Sequence, residues 1–273
     1  MILDGLNLKK KILDDSKKRI EDEHLNLTLA IIQVGDNAAS NIYIRNKIKA
    51  CEKVGIKVIY KKLDSVVLEE ELIEIIQSFN NNNNITGIIL QSPLPSHLDF
   101  DKCSSFILPS KDVDGFTMEN VYKLYLNQGG ILPCTVKGIL RLLDEYKISL
   151  EGSNVVIIGR GNIVGKPLAM ALENRNATVT LCHSKTKNIK DIVKNADIVV
   201  AACGIPHFVT VDMIREGAVV IDVGISKVAD KIVGDVDFDN VKEKASFITP
   251  NPGGVGPMTV AMIIDNLIEM GEE

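Results

Sequence analysis

Short apolar runs rich in Val, Ile and Leu alternate, in two successive blocks, with segments of helical period. Such alternation is the pattern of a parallel α/β architecture, in which crossover helices cover both faces of a sheet and the strands read as near-continuous aliphatic runs. In the first block a Lys-rich amphipathic stretch over residues 6–23 precedes strand-like runs at 27–34, Lys57–Leu63 and 85–90. Helical stretches lie between them at Ala38–Val54, closed by Gly55 where a C-terminal glycine is expected, and at 68–79. In the second block Asn154–Ile158, 177–181, 197–202 and 218–223 read as strands with helices between them. A helix over 136–146 leads into this block, and a Pro/Gly-rich loop over 249–257 leads out of it to a closing helix at 260–270. Residues 91–133 are irregular and rich in Pro, Gly and Asp, where loops that carry function tend to lie. Five consecutive asparagines, 80–84, read as a solvated turn.

The core of such a fold must here be aliphatic, because the 273 residues include no Trp and only 4% aromatics against 45% hydrophobics. The length accommodates two modest domains or one large one. A formal charge of −5 argues against nucleic acid as the main partner, since binding to a phosphate backbone relies on clustered Lys and Arg. The five cysteines, Cys51, Cys103, Cys134, Cys182 and Cys203, are scattered, and the four histidines are dispersed. No metal site is therefore expected, and a reducing, cytoplasmic compartment fits best. The first residues lack a basic segment followed by an apolar stretch, and no apolar run approaches the length of a membrane helix.

Chemistry is concentrated in a few motifs. Gly159-Arg160-Gly161-Asn162-Ile163-Val164-Gly165 runs from a buried strand into a helix. Glycines permit a tight turn and close backbone approach, and a helix N-terminus offers N–H groups to a pyrophosphate. The spacing GxGxxxG departs from the commoner dinucleotide form. At the end of the next strand an NAD site usually carries Asp or Glu for the ribose hydroxyl. Here stand Cys182-His183-Ser184-Lys185-Thr186, which with Arg160 are suited to a 2′-phosphate, so the composition favours NADP. In the first block Tyr43 and Lys47 are four apart on one helical face, where an aromatic ring can stack on a flat ligand beside an amine that handles a proton. Gln91-Ser92-Pro93-Leu94-Pro95 follows the third strand. Lys111-Asp112-Val113-Asp114-Gly115-Phe116 forms an acidic turn whose carboxylates can accept paired N–H bonds from a heteroaromatic edge. Each motif also has a plain reading: an exposed lysine, a Pro-shaped turn, or an Asx turn ending at Gly.

Jointly, Tyr43-Ile44-Arg45-Asn46-Lys47, Lys49-Ala50-Cys51, Gln91 with Pro93-Leu94-Pro95, residues 111–116, Pro133-Cys134-Thr135, residues 159–167 and Pro252-Gly253-Gly254-Val255-Gly256-Pro257-Met258-Thr259 resemble the bifunctional methylenetetrahydrofolate dehydrogenase/methenyltetrahydrofolate cyclohydrolase family. The resemblance spans almost the whole chain in the family's order. It implies NADP-linked oxidation of 5,10-methylenetetrahydrofolate to the 5,10-methenyl cation, then hydrolysis to 10-formyltetrahydrofolate. By position, Lys47 matches the central catalytic lysine, Tyr43 the residue that packs on the folate, Gln91 the glutamine supporting the lysine, and Asp114 the aspartate that binds the pterin. Cofactor contacts carry over to Gly159, Arg160, Gly161, Ser184 and Ile225, with Gly165 completing the loop. Four positions depart from the family pattern: Gly161 for Ser, Ser92 for Leu, Val136 for Pro, and Asn251 for Val or Leu. They bear on cofactor affinity and relative rates rather than on reaction class.

The expected architecture is an N-terminal α/β catalytic domain over 1–136 and 257–273, which binds folate, with a Rossmann-type NADP-binding domain over 137–256 and the last helix returning to the first domain. A homodimer through the cofactor domain is implied by the resemblance. Competing readings are a chain that keeps one of the two activities, a non-catalytic folate- or nucleotide-binding protein, and a shikimate-type dehydrogenase, which shares the domain plan but has no reason to carry the Pro252–Thr259 string.

Overall fold

The computed structural model describes residues 1–228 and 231–272, with residue 39 described by its backbone only. Two compact units emerge: Lys10–Cys134 with Val260–Glu273, and Met1–Lys9 with Thr135–Thr259. The elements in chain order are α1 (Gly5–Asp22), β1 (Thr28–Val34), α2 (Ala38–Val54), β2 (Lys57–Leu63), α3 (Glu69–Asn80), β3 (Gly87–Leu90), α4 (Phe100–Ser104), α5 (Met118–Tyr125) and α6 (Cys134–Glu145). They continue with β4 (Asn154–Ile158), α7 (Gly165–Glu173), β5 (Thr178–Cys182), α8 (Ile189–Val193), β6 (Ile198–Ala201), β7 (Val219–Asp222), β8 (Ser226–Val228), β9 (Lys231–Val233), α9 (Phe238–Val241), β10 (Phe247–Ile248) and α10 (Val255–Glu272).

In the first unit β2, β1 and β3 form a parallel sheet in that order. Strand β1 is buried throughout, and Ala30, Ile32 and Val34 pack with Leu72 and Ile76 of α3 and with Ile88 and Leu90 of β3. Strand β2 is an edge, largely exposed, and its Lys57, Lys61 and Lys62 discourage pairing with another sheet. Helix α2 starts where the Asn37 side chain accepts the Ser40 N–H at 3.1 Å. It stops at Gly55, whose φ of 87° and N–H contacts to Cys51 and Glu52 close the last turn.

Helix α10 begins at Val255, earlier than its hydrophobic pattern indicates. Pro257 is tolerated there because the first turn of a helix has no use for its missing N–H. Farther along, Ile263, Ile264, Leu267 and Ile268 are all at most 1% exposed.

The second unit holds a five-stranded, all-parallel sheet in the order β10-β7-β6-β4-β5. Strand order reverses between β4 and β6, the kind of switch point at which open α/β sheets bind ligands. Its core joins Val156, Ile158, Val199, Ala201 and Val220 to Val209, Met213 and Ile214.

The first nine residues group with this unit. The reason is backbone pairing: Leu3 N–H donates to Ile248 O at 2.8 Å and Ile248 N–H to Met1 O at 3.0 Å, so the N-terminal segment continues the sheet beyond β10. Strands β8 and β9 form an antiparallel hairpin that the sequence pattern does not reveal. Among the described residues no helix is long and apolar enough to cross a membrane.

Candidate active site and nucleotide-binding loop

Helix α2 presents Lys47 one turn after Tyr43, and the fold buries the lysine to 7% exposure. An ammonium-bearing side chain is rarely so buried without a partner. The partner is Gln91, directly after β3, whose Oε1 accepts from Lys47 Nζ at 3.1 Å. Gln91 is itself fixed: its backbone N–H donates to Ile32 O at 2.8 Å, and its Nε2 donates to Ser92 O at 2.7 Å. Thus the motif residues Lys47 and Gln91, 44 apart in sequence, meet as a built pair.

The acidic turn separates its two aspartates by role. Asp112 is buried and holds the turn together, accepting from Gly115 N–H at 3.0 Å, Thr117 N–H at 2.7 Å and Asn120 Nδ2 at 3.1 Å. Asp114 is left for other chemistry. Desolvation pushes its carboxyl above the usual carboxylate range, Lys47 pulls it back down, and Asp112 adds to the rise. Asp114 and Lys47 are therefore close enough to feel each other's charge. Tyr43 is half-buried, and desolvation raises its phenol.

Lys111 does not join this group. Its Nζ donates to Phe79 O at 3.2 Å, Asn80 O at 2.8 Å and Asn82 O at 2.8 Å, capping the C-terminal end of α3. The asparagine run is consequently more than a solvated turn.

Two supporting residues escaped the sequence reading. Asn266 of α10, fully buried, donates through Nδ2 to Val113 O at 2.9 Å and Leu132 O at 3.0 Å. The Cys134 thiol donates to the same Val113 carbonyl at 3.3 Å. Together they fix the backbone beside Asp114. The available signal is an asparagine interrupting the buried aliphatic face of the last helix.

In the second unit the Gly-rich turn leaves β4 at Gly159, whose N–H donates to Cys182 O at 2.9 Å. Gly159 has φ of 125°, and a Cβ there would overlap the Ala202 carbonyl; a Cβ at Gly165 would overlap Gly159 O. Those glycines let the turn and the start of α7 lie against the end of β6. A pocket of about 210 Å³ results, lined by Gly161, Ile163, Val164, Gly165, Ala202, Gly204, Val223 and Gly224. It lies at the carboxyl ends of β4, β6 and β7, beside the switch point.

Of the expected cofactor residues, Gly161 and Gly165 line the pocket and Gly159 stands behind it. Arg160, Ser184 and Ile225 are exposed and are not part of its lining. Arg160 and Ser184 nevertheless follow paired strands, Ile158 opposite Cys182, so the cation and the hydroxyl lie at neighbouring strand ends. The Ser184 turn is held by His183 N–H donating to Thr186 Oγ1 at 2.9 Å. A glycine cradle with a basic and hydroxyl-bearing edge fits a phosphorylated dinucleotide.

Behind the pocket lies a buried carboxylate pair, Asp222 and Asp235, which sequence reasoning also missed. Asp222 accepts Asp235 N–H at 2.9 Å and Val236 N–H at 3.2 Å. Burial pushes its carboxyl up to about 6 against the pull of those two N–H donors, with Asp235 adding to the rise. A carboxyl raised in the fold contributes stability below its unfolded value and loses it as pH climbs through the folded one. From the ordinary carboxyl value of 3.8 to about 6, the loss is about 3 kcal/mol. Apparent Tm should therefore fall between about pH 4 and pH 7, and Asp222→Asn should flatten that slope in a calorimetric pH series; an unchanged slope would contradict the assignment. Asp114 shifts in the same direction, so some slope should survive.

A parallel sheet with a glycine cradle at its switch point, and a second α/β unit holding a buried Lys–Gln pair near a carboxylate, define the class of two-unit, nicotinamide-nucleotide-dependent α/β enzymes. Comparison with known proteins narrows the class. The model of the tetrahydrofolate dehydrogenase/cyclohydrolase catalytic domain matches residues 3–114, and that of the NAD(P)-binding domain of the same family matches 133–273. The chain belongs to the tetrahydrofolate dehydrogenase/cyclohydrolase family.

Among its relatives, the bifunctional protein FolD of Clostridium novyi (strain NT) is 52% identical over 271 residues, covering 98% of each chain. A crystal structure of the bifunctional FolD methylenetetrahydrofolate dehydrogenase/cyclohydrolase of Campylobacter jejuni superposes with a TM-score of 0.97 at 44% identity, covering 100% of this chain and 98% of that one. The Trypanosoma brucei enzyme, complexed with NADP cofactor and inhibitor, gives 0.96 at 36% identity, covering 100% and 97%.

Proposed function

We infer that the chain is a bifunctional enzyme that oxidises 5,10-methylenetetrahydrofolate to 5,10-methenyltetrahydrofolate with NADP and hydrolyses the product to 10-formyltetrahydrofolate. The observation that carries this reading is the buried Lys47–Gln91 hydrogen bond with Asp114 in electrostatic reach.

The unit bearing Lys47 binds the folate, and the unit bearing Gly159 binds the nucleotide. Asp114 accepts N–H bonds from the pterin edge, and the Tyr43 ring packs on the folate, fixing the reacting carbon relative to Lys47. NADP, when bound, supplies the two-electron acceptor for the first step. Gly159, Gly161 and Gly165 would hold its pyrophosphate, Arg160 and Ser184 would hold a 2′-phosphate, and Ile225 would add an apolar contact.

In the second step water adds to the electrophilic methenyl carbon. Lys47 Nζ, oriented by Gln91 Oε1, handles the proton that this water gives up. The adduct then opens at the bond to N5 as that nitrogen takes a proton and the carbinol oxygen releases one, leaving the formyl group on N10. Net, one water is consumed and one proton released.

The chain acts in the cytoplasm as a homodimer through the nucleotide-binding unit. Four of its five cysteines are buried free thiols, which suits a reducing compartment. In that unit Val228 and Ile232 of the β8–β9 hairpin leave 49% and 53% of their surfaces exposed, an apolar area that association would cover.

Purified protein given methylenetetrahydrofolate and NADP should show the absorbance of both NADPH and the methenyl product. Absence of reaction with NADP and with NAD would contradict the reading.

A further inference from the structure

Asp235 is fully buried yet keeps one carboxylate oxygen, Oδ1, without a hydrogen-bond partner among the described residues. An orphaned buried acceptor costs free energy and calls for a physical explanation. The other oxygen, Oδ2, accepts two successive backbone donors, Cys203 N–H at 2.7 Å and Gly204 N–H at 2.9 Å. Those two residues form the loop that leaves β6, and Gly204 lines the pocket.

The same carboxylate also lies against the loop that leaves β7. A Cβ on Gly224, a second lining residue, would overlap Asp235 Cγ and both of its oxygens. Asn251 closes that loop from the other side, donating from Nδ2 to Gly224 O at 2.5 Å. Asp235 is itself held by Asp222, which takes its N–H, while Asp222 N–H donates to Thr249 Oγ1 at 2.7 Å. The chain of contacts thus runs from the β10–β7 side of the sheet, through two carboxylates, to two walls of the pocket.

From this geometry we propose that Asp235 is a positioning residue for the nicotinamide nucleotide: one carboxylate spaces the Cys203-Gly204 loop against the Val223-Gly224 loop and so sets the width of the pocket. A hydroxyl or amide in place of the carboxylate would accept one N–H well but not two at charge-assisted strength, which accounts for retaining an acid whose second oxygen is unpaired. Gly224 complements it, since any side chain there would push the two loops apart. The Cys203 thiol is bound into the arrangement, its pKa pushed up to about 11 by burial and by Asp235, so it stays protonated.

The proposal rests on the NADP-dependent reading above, and titration calorimetry with NADP alone separates the two. Wild-type protein should bind NADP; if it does not, the functional reading falls and this inference with it. Asp235→Ala should weaken NADP binding at least about tenfold, the effect of losing two charge-assisted hydrogen bonds at a single acceptor. Asp235→Asn, which keeps one acceptor oxygen, should recover part of that loss. In steady-state assays the KM for NADP should rise while the KM for methylenetetrahydrofolate does not, a split that general unfolding would not produce. Gly224→Ala approaches the same spacing from the opposite wall and serves where Asp235→Ala fails to fold. Wild-type NADP affinity in both Asp235→Asn and Gly224→Ala, or equal rises in both KM values, would overturn the proposal.

Discussion

Replacement of Lys47 by alanine is expected to slow hydrolysis of methenyltetrahydrofolate by about 10²- to 10⁴-fold, the range associated with removing a positioned general acid–base group. The measurement is the decay of methenyl absorbance without nucleotide, so that the oxidation step does not enter. Loss of fold is a poor alternative explanation. Among the described residues Lys47 makes one hydrogen bond, to Gln91, and such a bond contributes about 1 kcal/mol net. Removing the amine also removes a buried polar group that is costly to desolvate. Apparent Tm should accordingly move by a few degrees while the rate collapses. Gln91→Leu should give a milder loss, because it frees the amine without removing it. An unaffected hydrolysis rate in Lys47→Ala would take the residue out of the mechanism.

The second large effect concerns Gly159→Ala, which should abolish NADP binding and destabilise the nucleotide-binding unit by about 3 kcal/mol or more. Two independent penalties act at this position. Its φ of 125° is a conformation that side-chain-bearing residues rarely adopt, worth about 1–3 kcal/mol. The added methyl would also overlap the backbone carbonyl of Ala202, and overpacking costs about 1–3 kcal/mol more. That carbonyl cannot easily give way, since Ala202 N–H donates to Ile158 O at 2.8 Å at the end of β4.

Gly161 provides the contrast within the same loop. Nothing lies within 4 Å of a Cβ built there, so Gly161→Ser should fold normally and would add a hydroxyl to the loop. Thermal melts and NADP titrations of the two variants, run together, distinguish a steric requirement from mere loop rigidity. Equal stability and affinity for Gly159→Ala and wild type would contradict the steric account of the loop.

The strands and helices that carry local signals were legible from sequence. Helix α2 runs over Ala38–Val54 as its periodicity and Gly55 indicate, and β2 and β4 match the strand-like runs residue for residue. Local signals failed where pairing partners are remote. The backbone bonds of the first residues reach Ile248, which nothing in their own sequence signals. Helix α5 was hidden within an irregular Pro- and Gly-rich stretch because its buried face is only Asn120 and Leu124.

At the site, spacing placed Tyr43 and Lys47 on one helical face and the family resemblance picked out Gln91 and Asp114, whereas the supports did not announce themselves. Asn266 reaches Val113 across 153 residues, and Asp235 reaches Cys203 across 32. Neither spacing corresponds to a turn, a helix face or a ligand motif. The two aspartates of the acidic turn show the same limit: composition cannot tell that Asp112 is consumed by backbone N–H groups while Asp114 is not.

The central claim is that one chain performs both steps in succession. The most direct test follows NADPH and 10-formyltetrahydrofolate together in a single progress curve, starting from methylenetetrahydrofolate and NADP. One formyl product should form for each NADPH in the wild type, whereas Lys47→Ala should yield NADPH, if at all, without the matching formyl product. NADPH production with no formyl product from the wild type beyond the spontaneous rate, or formyl product undiminished in Lys47→Ala, would contradict the account.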